Sequence, residues 1–85
     1  MNAFRVWVRP LGGACHVRVD GMEKARWLLG CLSQSFIFKS SKPVREVKGT
    51  SCCTFQLPYT SQVSRSFIER ELARIPEVRL LSEPA

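Results

Sequence analysis

Twice near its N-terminus the chain alternates strictly between two sets of side chains. Phe4, Val6 and Val8 interleave with Arg5, Trp7 and Arg9, and then Cys15, Val17 and Val19 interleave with His16 and Arg18. A period of two is the mark of a strand buried on one face. Pro10-Leu11-Gly12-Gly13 breaks the pattern, so the two stretches are either the arms of a hairpin or one long interrupted strand. Either way the first quarter of the chain is sheet, and something must cover its apolar face. With 85 residues, the whole chain, 1–85, reads as a single domain. A domain this small buries a modest share of its surface, so its core must be efficient or a partner must supplement it.

The period then changes. Met22, Ala25, Leu29, Leu32 and Phe36 recur at helical spacing, and Trp27, Leu28 and Cys31 widen the apolar arc. Asp20 with Glu23 three residues on has the logic of a capping box, and the helix should end near Ser33–Ser35. Phe36-Ile37-Phe38 begins extended structure, and Ser40-Ser41-Lys42-Pro43 reads as a loop. Val44–Val47 and Ser51–Leu57 flank Lys48-Gly49-Thr50, a hairpin turn in which Gly supplies a positive φ. In the second arm Cys53, Phe55 and Leu57 face one way, and Cys52, Thr54 and Gln56 the other. After Pro58, Thr60 or Ser61 should cap a second helix with Val63, Phe67, Ile68, Leu72 and Ile75 on its apolar face. Pro76 ends it, and Val78–Leu81 forms a last strand.

Strand, strand, helix, strand, strand, helix, strand is the ferredoxin-like split βαβ pattern with an extra N-terminal strand. The expected architecture is an α+β two-layer sandwich, with both helices on one face of an antiparallel sheet. Its other face is left to solvent, a partner or a ligand.

Thirteen Lys and Arg against seven Asp and Glu give a net charge of +6, which favours anionic partners. Residues 1–42 carry seven of the basic and two of the acidic residues, so the excess belongs to the first half. No apolar run approaches the ~20 residues of a membrane span, and Met1–Gly13 lacks the apolar centre of a signal peptide. Cys15, Cys31, Cys52 and Cys53 share no zinc-type spacing, and they are expected as reduced thiols in a cytoplasmic protein.

Catalysis has little to stand on. His16 and Cys15 are adjacent, but alternation sends them to opposite faces, out of reach of each other as base and nucleophile. Glu69 and Glu71 are two apart on a helix and do not face each other. The same alternation, with Cys15 and Cys52-Cys53 toward opposite ends of the sheet, dismantles a Cys3His metal set. Leu11-Gly12-Gly13-Ala14 is followed by a strand and lacks a P-loop's Gly-Lys-Ser/Thr ending, so it is a plain turn. No enzyme activity, metal or cofactor is expected.

A binding face is better supported. Arg5-Val6-Trp7-Val8-Arg9 sets a Trp between two arginines on one strand face, His16 and Arg18 share the outward face of the next strand, and Arg79 joins them from the last. Aromatics interleaved with cations suit single-stranded nucleic acid, the ring stacking on a base while guanidinium groups meet phosphates. Lys39-Ser40-Ser41-Lys42 with Arg45 is a second small basic cluster. Val6-Trp7-Val8-Arg9-Pro10-Leu11 resembles the short first-strand motif of the RNA recognition motif family, and Lys48–Phe55 resembles its longer third-strand motif. Lys48, Gly49 and Phe55 match that pattern, while Thr50 and Cys52 stand where the family usually presents aromatics. A nucleic-acid-binding domain of this kind would use Arg5, Trp7, Arg9, Arg18 and Lys48.

The expected function is therefore a small non-enzymatic interaction module, its open sheet face meeting an unknown protein or a second copy of the chain. The alternative is a single-stranded RNA-binding domain whose face comprises Arg5, Trp7, Arg9, His16, Arg18, Lys48 and Arg79.

Overall fold

The structure, a computed structural model, describes residues 2–34 and 44–82. They form strands β1 (Phe4–Leu11) and β2 (Ala14–Asp20), helix α1 (Met22–Ser33), strands β3 (Arg45–Glu46) and β4 (Cys52–Pro58), helix α2 (Arg65–Ala73) and strand β5 (Val78–Ser82). The expectations for Phe36–Phe38, Lys39 and Ser40–Pro43 fall outside the described residues.

The N-terminal alternation resolves as a hairpin. Leu11 pairs with Ala14 across the two-residue turn Gly12-Gly13, and the antiparallel register runs back to Val6↔Val19. Gly12 has φ +62°, which a side chain would resist. Pro10 continues β1 instead of ending it. Among the described residues the register with β5 runs only to Val8↔Ser82, so none of them pairs with Pro10 on that side and its missing N–H is tolerated.

This short turn decides the sheet order, β3-β4-β2-β1-β5. β1 must lie beside β2, and β4 occupies β2's other side. The final strand is thereby kept from the place beside the first core strand that the split βαβ pattern would give it. It pairs instead with the outer edge of β1. β1 and β4 both run antiparallel to β2, and α2 returns the chain parallel to β4, so β5 is parallel to β1. The sheet is consequently mixed, which corrects the expectation of an antiparallel one.

One face of the sheet is covered. Phe4, Val6, Val8, Cys15, Val17, Val19, Cys53, Phe55 and Leu57 are buried with Ala25, Leu28 and Leu32 of α1, Ile68 and Leu72 of α2, and Val63. The arc of α1 is centred on Leu28 more than on Leu29, which is only partly buried. Trp27 meets Phe4 edge-on, ring centroids 5.9 Å apart, so it fills the core margin as its position predicted.

Both helix starts differ from expectation. Gly21, at φ +108°, stands at the N-cap of α1 with no side-chain cap, and Asp20 instead accepts a hydrogen bond from the Ser51 hydroxyl at 2.6 Å. Asp20 is still paired in β2, so its side chain is committed to the sheet before the helix begins. For α2 the cap is Ser64, whose Oγ accepts from the Phe67 amide at 3.2 Å. Thr60 closes the turn before it, accepting from the amides of Gln62 and Val63.

Candidate basic sheet face

The uncovered face follows from the registers, because residues directly opposite one another share a face. Its middle row crosses all five strands: Arg45, Thr54, Arg18, Trp7 and Leu81. The row above it holds Arg9, His16 and Gln56. Below it, Arg79 opposes Arg5 and Asp20 opposes Cys52. Rows are spaced by two residues, roughly 6.6 Å. Among the described residues the face thus carries Arg5, Arg9, Arg18, Arg45 and Arg79 with His16 and Trp7, against the single carboxylate of Asp20.

Trp7 organises the middle of this face. The guanidinium of Arg18 lies 4.8 Å from its ring centroid and that of Arg5 lies 5.3 Å away. Cation–π contacts of this kind are worth about 0.5–1 kcal/mol each at exposed sites, and they hold two flexible arginines over the ring. A hollow of about 150 Å³ is lined by Trp7, Arg9, His16, Arg18, Val47 and Thr54. That is below the few hundred Å³ of usual small-molecule pockets. A second cavity, of about 300 Å³, sits at the lower end of the sheet between Ala3, Phe4, Arg5, Asp20, Lys24 and Arg79.

Six of the seven residues singled out from sequence come together on this face. Lys48 lies instead in the β3–β4 turn, beyond the start of β4. The turn itself forms as expected, with Gly49 at φ +82° and the Thr50 amide bonded to the Val47 carbonyl at 3.1 Å. The two segments that resemble the RNA recognition motif are not neighbours, since β2 separates β1 from β4, and Phe55 faces the helices, 2% exposed. By sequence alone Arg45 belongs to a separate loop cluster and Asp20 is a helix cap. Only the β3–β4 and β2–β4 pairings bring them to this face.

The thiols do not add chemistry here. Cys15 opposes Leu57 and Cys53 opposes Val19, four residues further along the ladder, or roughly 13 Å. Burial pushes the Cys15 thiol from an ordinary 9.0 up to about 11, although the nearby Arg65 cation pulls the other way. Tyr59 is raised as well, first by burial and then by Cys15 itself. A buried thiol held protonated is a poor nucleophile.

Linkage fixes the sign of the consequence. Between pH 9 and about 11 the folded chain keeps the Cys15 proton that the unfolded chain releases, so stability falls as pH rises through that window. Urea titrations across it should show the folded state weakening, and Cys15→Ala should flatten the slope. An unchanged slope in that variant would assign the loss to other groups.

The described residues thus make an α+β unit with one sheet face covered by helices and the other open and basic. No helix among them is long and apolar enough to cross a membrane. Comparison of the chain with protein-family models, with curated proteins and with solved structures finds no match.

Proposed function

We propose that this protein is a non-enzymatic binding module whose open sheet face takes single-stranded nucleic acid, RNA in the first instance. One observation carries the reading: among the described residues, three rows of the face hold five arginines around Trp7 against one carboxylate. Phosphates supply the charge that such a face lacks, and the Trp7 ring, now under the guanidinium groups of Arg5 and Arg18, offers a base a stacking surface once those flexible side chains turn to the phosphates. Self-association through this face would set arginine against arginine, and like charges brought together are repulsive. The fold behind the face reads as a ferredoxin-like split βαβ with one strand inserted. The reading includes a cytoplasmic location, which fits cysteines that stand as free thiols.

The test is a backbone NMR titration with mixed single-stranded RNA. Shifts should centre on Arg5, Trp7, Arg9, Arg18 and Arg45. Trp7→Ala should weaken binding about 5- to 150-fold, the equivalent of ~1–3 kcal/mol per stacked base, and Trp7→Phe should recover most of it. Shifts confined to the helical face, or line broadening that follows protein concentration without RNA, would overturn the reading in favour of a protein interface.

A further inference from the structure

The larger cavity differs from the rest of the face in its charge balance. Arg5 and Arg79 are directly opposed on parallel strands, an arrangement that is repulsive without an intervening anion. Lys24, from the first turn of α1, lines the same space, as does Asp20. Among the described residues none of the three cations is held in an ion pair. Asp20 is the one repulsive group, and its Oδ1 is engaged by the Ser51 hydroxyl at 2.6 Å. Three cations less one carboxylate leave two positive charges around about 300 Å³.

We infer that this cavity is a site for a phosphomonoester dianion, filled by the terminal phosphate of a strand lying on the open face. A phosphomonoester carries about −1.5 to −2 charges at pH 7 and three strong acceptor oxygens. It therefore neutralises the cavity, whereas a bridging phosphodiester, with a single charge, does not. Three oxygens also meet three cationic donors, two of which are guanidinium forks that bind phosphate in bidentate fashion. Position supports the assignment to a strand end. Arg5 belongs both to the cavity and to the Trp7 stack, so a chain crossing the rows of the face reaches the cavity at its margin. The strand's role rests on the proposed function; the anion chemistry of the cavity rests on its own residues.

The experiment compares one RNA oligonucleotide with and without a terminal phosphate, at each end in turn, and adds inorganic phosphate as a separate probe. A terminal phosphate should tighten binding about tenfold, and Lys24→Gln, which removes a cavity cation that lies off the face, should abolish most of that gain while leaving the affinity for the unphosphorylated strand unchanged. Inorganic phosphate should shift the Lys24 and Arg79 amides. Equal affinity of all oligonucleotides would overturn the cavity assignment and leave the face reading standing. If inorganic phosphate shifts Lys24 and Arg79 but no oligonucleotide binds, the face reading fails, and with it the strand end as occupant, while the anion site holds. Failure of phosphate and of the terminal-phosphate gain together would remove the site.

Discussion

Phe55→Ala should remove a large share of the protein's stability. Phe55 is 2% exposed on β4, opposite Val17 of β2, and packs in the core cluster with residues of both helices. Truncating a buried Phe costs about 3–5 kcal/mol, because lost transfer energy is joined by a cavity that the neighbours cannot fully close. A chain of 85 residues has a total stability of about 4–13 kcal/mol at ordinary values per residue. Thermal unfolding followed by circular dichroism should show the midpoint falling on the order of 12–40 °C. Leu81→Ala is the control. That side chain is 40% exposed, and its loss should change stability by under about 0.5 kcal/mol. Equal effects at the two positions would refute the assignment of the covered and open faces.

Salt should weaken RNA binding by about two orders of magnitude between roughly 50 and 200 mM. Each phosphate neutralised on a single strand releases counterions with a logarithmic slope of about −0.7. Arg5, Arg9, Arg18, Arg45 and Arg79 lie on one face, and five contacts give a slope near −3.5, hence about 10²-fold over a fourfold change in salt. Replacing Arg9 or Arg45 by Gln should lower the slope by about 0.7 each. Replacing Arg70, which packs on the Phe67 ring of α2, should leave it unchanged. Fluorescence titrations at several salt concentrations measure this directly. A slope shallower than about −1 would mean that the arginines do not meet phosphates, and the proposed function would fall.

Much of the fold was written in local pattern. Alternation marked β1, β2 and β4 and sorted their residues correctly between the two faces, because a strand's period is a property of its own backbone. The helical spacing of Met22, Ala25, Leu29 and Leu32 marked α1 for the same reason, although packing centres its buried arc on Leu28. The turn at Gly49 was legible too, since positive φ is a local demand.

Strand order was another matter. Nothing in Val78–Leu81 specifies whether it joins β2 or β1, for its backbone groups would pair equally with either edge. The Gly12-Gly13 turn settled that only once the hairpin closed and β4 took the other side of β2. Caps were likewise displaced by sheet pairing: Asp20 was held in β2 opposite Cys52, and α2 began at Ser64 once Thr60 had closed the preceding turn.

The candidate site divides along the same line. Residues 1–42 already carried the charge excess, and Arg5, Trp7 and Arg9 already shared a strand face, so a basic aromatic surface could be read without coordinates. Its extent could not. Arg45, Thr54, Arg18, Trp7 and Leu81 form one row although they span positions 7 to 81, and the cavity between Arg5, Lys24 and Arg79 joins three separate elements. The sequence alone determined which side chains leave the core, because burial periodicity acts over a few residues. Tertiary structure decided which of them meet, because hydrogen-bond register between distant strands is a property of no single segment.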